Sequence, residues 1–314
     1  MGKVNNKDWS ILSTYRNEMF GLSIIGIIML HYFQNLVHAD VQGLGKIFTN
    51  AYYNVVGSTG VEIFLFLSGM GLCFSLNKNP NVLGFYGRRL KRILLAYVLW
   101  GGAFWYIRDV VILKLGYDRF LYDFSFMSFW DAGVSSLWFI AFIIPMYLLY
   151  PLIHVCFKKE NKYRTLIFIE MLIVCVLTID WMKVHTPNFY ADAKLAIYRI
   201  PIFLLGAYYA NKVYEKKEFS IGDNVLVITG LIANLLCVLN KTYMTIPFIK
   251  YIDVEYIKCL YSISLIVAMA RFLSYFKKGV INKFLIATGA LSLELYMTHV
   301  NVRNIMTVMG FGGL

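Results

Sequence analysis

The sequence predicts an all-α protein: a polytopic bundle of about nine membrane-crossing helices with a cytoplasmic N-terminus. Three observations carry this. The 314-residue chain is 59% hydrophobic and only 15% charged, where a soluble chain carries about 25% charged residues. Its apolar residues recur in blocks close to the roughly 20 residues that a helix needs to cross hydrocarbon. Its basic residues gather in alternate loops between those blocks, which is the asymmetry that sets membrane topology.

The blocks fall near 19–37, 53–76, 93–113, 136–157, 164–182, 195–214, 223–240, 256–276 and 284–307. The connecting loops are short, so residues 1–314 are expected to form one membrane-embedded domain without internal repeats. The first eighteen residues are polar and mixed, unlike a cleavable leader with its apolar core and small-residue cleavage site. The N-terminus and the loops after the second, fourth, sixth and eighth blocks hold eighteen Lys and Arg; the intervening loops hold seven. The N-terminus therefore reads as cytoplasmic. A net charge of +12 would suit nucleic acid, but its clustering in alternate loops is what membrane topology requires and speaks against that reading. The five cysteines lie in or beside apolar blocks without metal-ligand spacing. They read as small buried hydrophobes, and no metal is expected.

The first block ends on His31, after Met19-Phe-Gly-Leu-Ser-Ile-Ile-Gly-Ile-Ile-Met-Leu. A titratable imidazole inside a span is costly, and it marks a functional site by default. Two readings are open: a general base that takes a proton from a hydroxyl, or an interhelical hydrogen-bonding residue. The second block carries Glu62 in Gly60-Val-Glu62-Ile-Phe, with Ser68, Gly69 and Gly71 further on. Glu62 enters from the same side, at a depth expected to match His31, and could orient the imidazole as the third member of a triad does. Its plain alternative is a solvated interfacial acid.

The third block is entered through Phe85-Tyr86-Gly87-Arg88-Arg89-Leu-Lys91-Arg92. Four cations in five positions exceed what topology requires. They read either as an anchor on anionic membrane lipids or as a phosphate site, since guanidinium forks match phosphate oxygens. A phosphorylated carrier such as coenzyme A would suit the second reading. The fourth block opens on Ser135-Ser136-Leu137-Trp138-Phe139 and contains Pro145 and Pro151. Trp138 suits an aromatic belt, and its face also suits sugar stacking. The last block contains Ser292, Glu294, Tyr296 and His299. Ser292, Tyr296 and His299 share one helical face while Glu294 points elsewhere. That polar face should look into the bundle.

Taken together these segments resemble the acyltransferase-3 family of membrane proteins, which includes O-acetyltransferases of O-antigen, Nod factor and other glycans. The resemblance runs through Gly21-Leu-Ser-Ile-Ile-Gly-Ile-Ile-Met-Leu-His31, Gly60-Val-Glu62-Ile-Phe with Ser68-Gly69, Arg88-Arg89 with Arg92-Ile-Leu, Leu137-Trp138-Phe139 with Tyr150-Pro151, and Leu291-Ser292 with Tyr296 and His299. It implies transfer of an acyl group, acetyl above all, from cytoplasmic acyl-CoA to a carbohydrate hydroxyl on the outer side of the plasma membrane. The family's first-span histidine maps to His31, as base or transient acyl carrier, and its cytoplasmic arginines to Arg88, Arg89 and Arg92. Two departures stand out. The arginine usual eleven residues before that histidine is Phe20 here, with Arg16 one turn earlier as its substitute. The family usually has ten spans. With no permanently bound cofactor expected, the site set is His31, Glu62, His299 and Glu294 for catalysis; Arg88, Arg89 and Arg92 for the donor; and Arg16, Trp138 and Tyr296 for substrate. The rival class is a transporter of a glycan or small polar solute, in which intramembrane His and Glu relay protons. The chain lacks the repeated halves that transporters show.

Overall fold

Without water in hydrocarbon, each backbone N–H and C=O must find its partner inside its own segment, so the apolar blocks become helices. The computed structural model describes residues 7–38, 43, 45, 52, 59–242, 254–276 and 279–311. In chain order its helices are α1 (Arg16–His38), α2 (Gly60–Lys78), α3 (Val82–Ile112), α4 (Tyr117–Phe124), α5 (Met127–Ala132), α6 (Trp138–Phe157) and α7 (Arg164–His185). They continue as α8 (Pro187–Ile197), α9 (Ile200–Tyr214), α10 (Ile221–Thr242), α11 (Val254–Tyr275), α12 (Val280–Ala290) and α13 (Ser292–Met306). Among the described residues there is no β-strand, only one isolated bridge between Asp8 and Glu218. The all-α, polytopic helix bundle expected from the sequence is what forms.

Among the described residues every expected span falls on helix, residues 53–58 of the second lying outside them, and three spans differ in detail. Among the described residues five helices are long and apolar enough to cross a membrane unaided, namely α2, α3, α6, α7 and α11. The expected last span is broken: α12 and α13 meet at a 71° bend at Leu291. The basic stretch before the third block is itself helical, so α3 runs for 31 residues. Asn81 starts it by accepting from the Gly84 N–H at 3.1 Å, which satisfies one orphan donor of the first turn. The sixth block is divided at Tyr198–Arg199 between α8 and α9. The expected outer loops near 40–50 and 241–255 lie largely outside the described residues.

The chain forms two compact units, each assembled from separated stretches: residues 1–71 with 202–292, and residues 72–201 with 293–313. In the first unit small residues let backbones approach closely, the packing device of membrane helices. A Cβ on Gly21 or Gly289 would meet the backbone at Leu285 or Asn17, so α1 and α12 lie in direct backbone contact. Gly69 sits against the Phe203 carbonyl and Gly206 against the Phe66 carbonyl, which joins α2 to α9 in the same way. The N-terminal segment is locked down by Trp9, fully buried against Tyr209 and Phe219 at 4.8 and 4.7 Å. Its indole N–H donates to Asp223 Oδ2 at 3.2 Å, and Lys212 Nζ donates to Asp223 Oδ1 at 2.7 Å.

The second unit is built on α3 and α6. Tyr86 OH donates to the Leu148 carbonyl at 2.8 Å, and Phe85 lies along Tyr150. Two π-helical turns, Tyr97–Gly101 and Tyr106–Ile112, interrupt α3. The short helices α4 and α5 close its far end. There the buried Asp123 accepts from Arg119 Nε at 2.7 Å, with Arg108 Nη1 at 3.5 Å. Tyr122 OH donates to Asp131 at 2.6 Å, and this bond to a carboxylate pushes the phenol pKa above its ordinary value.

Close approach makes two glycines opposite in their tolerance. Gly206→Ala puts a methyl into a backbone carbonyl and is expected to destabilise by about 1–3 kcal/mol. Gly87→Ala, on α3 with open space around it, should be neutral or stabilising by about 0.5–1 kcal/mol. Thermal denaturation midpoints of the two detergent-purified variants, measured against the parent chain, check the contrast.

Candidate active site

The residues singled out from the sequence divide between the two units. His31, Glu62 and Arg16 belong to the first; Arg88, Arg89, Arg92, Trp138, Glu294, Tyr296 and His299 belong to the second.

In the first unit the register of α1 on α2 is set by side chains. Gly60 rests on Ser23 and Ile27, Phe64 stacks on Phe20 at 5.1 Å, and Gly71 rests on the Arg16 guanidinium. The helices are therefore antiparallel, and Glu62 falls level with Ser23. His31 lies eight residues further along α1, about 12 Å at the helical rise. The expected common depth of Glu62 and His31 is replaced by this offset, because glycine and phenylalanine contacts fix the pairing before either polar group can. Glu62, Glu18 and Ser23 are all buried, each 3% exposed. The Arg16 guanidinium lies over the Phe20 ring at 4.8 Å, so the substitute arginine packs on the residue occupying the family's usual arginine position. His31 is half-buried, with Nδ1 3.4 Å from Gln34 Oε1.

In the second unit the arginines of α3 do not share a face. Arg88 and Arg92, one turn apart, are exposed, whereas Arg89 turns inward toward Tyr147 and Tyr150 of α6. Its Nε is buried and has no hydrogen-bond partner among the described residues. An outward pair of guanidinium forks with a third one held behind it is a surface that phosphate oxygens fit.

The start of α6 faces α13. Leu137 takes a left-handed conformation (φ 56°), with its side chain fully buried. This costs a non-glycine residue about 1–2 kcal/mol, which burial of the side chain offsets. The turn it makes delivers the Phe139 N–H to Tyr296 Oη at 3.3 Å. His299 follows one turn later, its ring 5.9 Å from that of Tyr296. Its Nδ1 lies 2.9 Å from the Leu295 carbonyl, so Nδ1 carries the proton and Nε2 keeps the lone pair a base needs. Glu294 is half-buried, with Oε2 enclosed and without a hydrogen-bond partner among the described residues. Trp138 is half-buried, and the Arg199 guanidinium covers one of its faces at 5.0 Å.

Several polar residues here escaped the sequence reading. Arg199 marks the α8–α9 break, two residues before Pro201. Asn301 Nδ2 donates to the Trp100 carbonyl in the first π turn of α3 at 3.0 Å, and Asn304 Nδ2 donates to Ser136 Oγ at 2.9 Å. Their three-residue spacing late in an apolar span was the available signal. Among the described residues no group of three His, Cys, Asp or Glu is placed to hold a metal ion.

These features can be set beside known proteins. No curated protein and no solved structure matches the chain. The acyltransferase domain of the acyltransferase-3 family matches residues 21–313, a stretch that takes in both units and every candidate residue except Arg16. Helices able to cross a membrane, a polar final helix and this match together define the protein: the chain belongs to the acyltransferase-3 family and is a membrane acyltransferase.

Proposed function

We propose that this acyltransferase moves an acetyl or other acyl group from cytoplasmic acyl-CoA to a hydroxyl of a cell-surface or exported carbohydrate, at the plasma membrane. One observation within the second unit carries the reading. The Asn301–Trp100 contact ties α13, two residues beyond His299, to α3 eight residues beyond Arg92 and twelve beyond Arg88. The phosphate-matching face and the basic imidazole are thus separated along α3 by about 12–18 Å. A donor whose phosphates lie at one end of a long arm and whose thioester lies at the other suits that separation.

The chemistry needs one base and one positioned electrophile. The histidine Nε2 takes the acceptor hydroxyl proton. The oxygen lone pair forms the new C–O bond at the thioester carbonyl, the C–S bond breaks, and the thiolate departs with its electron pair. The imidazolium then returns the proton to the thiolate. His31 and His299 are the bases on hand, each with Nδ1 directed at an oxygen of its own helix. Arg88 and Arg92 hold donor phosphates with Arg89 behind them, and Glu294 offers a carboxylate to the polar face of α13. In the first unit Glu62 and Arg16 lie at separate levels on the N-terminal side of His31 along α1; in the second, Trp138 and Tyr296 line the acceptor side.

His31→Ala is expected to lower acyl transfer by about 10²–10⁴-fold, the usual contribution of a general base, with the protein still inserted. Label transfer from acetyl-CoA to glycan in purified membranes measures it, and a parental rate removes His31 from the mechanism. The double change Arg88→Gln, Arg92→Gln removes charge-assisted contacts worth about 1.5–3 kcal/mol each. It should raise the donor concentration for half-maximal rate by at least about tenfold and leave the acceptor value unchanged; unchanged donor dependence favours a lipid anchor. Orientation has its own test: in a Cys-free chain, a cysteine at Gln42 should react with an impermeant thiol reagent outside intact cells, and one at Asn79 should not. The reverse pattern inverts the protein and ends the external-acceptor reading.

A further inference from the structure

Beside Trp138, the second unit holds a group of uncharged polar side chains that neither proton transfer nor donor binding uses. Asn301 is 6% exposed. Its Nδ2 is engaged by the Trp100 carbonyl, but its Oδ1 is buried and has no partner among the described residues. Leaving such an acceptor unmet costs about 1–3 kcal/mol. One turn further along α13, Asn304 Nδ2 donates to Ser136 Oγ, which commits that oxygen as acceptor and leaves the Ser136 hydroxyl proton to donate. Ser136 and Asn304 are half-exposed, the latter three residues past Asn301 on α13.

We infer that Asn301, Asn304 and Ser136 form the subsite that recognises the acceptor, taking vicinal hydroxyl groups of a sugar ring. The inference rests on the acyl-transfer reading above and names the residues that set its acceptor specificity. The chemistry favours a polyol. The buried Asn301 oxygen requires a donor and the serine offers one, and a hydroxyl group both donates and accepts. A phosphate or carboxylate group has no proton to give these oxygens at neutral pH. The position suits the role, because Asn301 lies two residues and Asn304 five residues past His299. A hydroxyl held there lies within a helical turn or two of the His299 imidazole, about 3–8 Å along the axis. Trp138 begins the helix that Ser136 precedes, with the Arg199 guanidinium over one face of its ring.

The test uses membrane vesicles holding the full chain, radiolabelled acetyl-CoA as donor and the producing cells' own surface glycan as acceptor. Asn301→Ala and Asn304→Ala should each raise the glycan concentration for half-maximal rate about tenfold, the cost of one hydroxyl contact. The acetyl-CoA value should stay within about twofold, a split that mere loss of folding would not produce. A second measurement does not need turnover. In a chain whose five native cysteines are replaced by alanine, Ser136→Cys is alkylated by an impermeant maleimide, and saturating glycan should slow that reaction about tenfold. Unchanged glycan dependence in both alanine variants together with unslowed alkylation overturns the subsite. Slowed alkylation without any label transfer by the parent chain keeps the subsite and sinks the acyl-transfer reading instead.

Discussion

Hydrocarbon supplies no hydrogen bonds, and that constraint governs both the architecture and the chemistry. Helices result because each backbone group must be satisfied locally. The same rule applies to side chains, so a polar group is retained within a span only where it has a partner or a task. The polar residues of α13 show the consequence. Tyr296 takes the Phe139 N–H, His299 engages its own helix, Asn301 takes a carbonyl from a π turn and Asn304 takes a serine. The face that sequence spacing directs into the bundle finds protein partners there. Among the described residues, Asn301 Oδ1 and Glu294 Oε2 are enclosed on this helix without a hydrogen-bond partner.

Backbone proximity follows from the same constraint. Lipid tails are as apolar as leucine, so association of spans depends on fit rather than on escape from water. Glycines at 21, 60, 69, 206 and 289 bring α1 against α12 and α2, and α2 against α9, more closely than a Cβ would allow. This packing has a chemical result. By fixing Gly60 on Ser23 and Phe64 on Phe20, it sets the level of Glu62 independently of His31.

Much of this was legible in the sequence because it rests on composition and period. Each helix long enough to span has its apolar block, and the segments resembling an acyltransferase-3 protein run in order along the chain that the family match covers. Four things were not legible, each for a physical reason. The 71° bend at Leu291 has no proline beside it, and hydropathy alone reads through it. The offset of Glu62 from His31 depends on interhelical register, which one span's sequence does not encode. The split of Arg88 and Arg92 from Arg89 follows from a helical phase that becomes readable only once the basic run itself is seen to be helix. Asn301 and Asn304 were passed over because attention to titratable groups misses neutral amides, whose importance appears only when their partners are counted.

The two histidines share a feature that their positions in sequence conceal. His31 has Nδ1 directed at Gln34 Oε1, three residues on, and His299 has Nδ1 directed at Leu295 O, four residues back. At His299 the partner is a backbone carbonyl, which can only accept, so Nδ1 carries the proton and Nε2 is the basic nitrogen. A tautomer fixed from within the same helix does not depend on how neighbouring helices pack, since the orienting bond persists whatever approaches the other ring nitrogen.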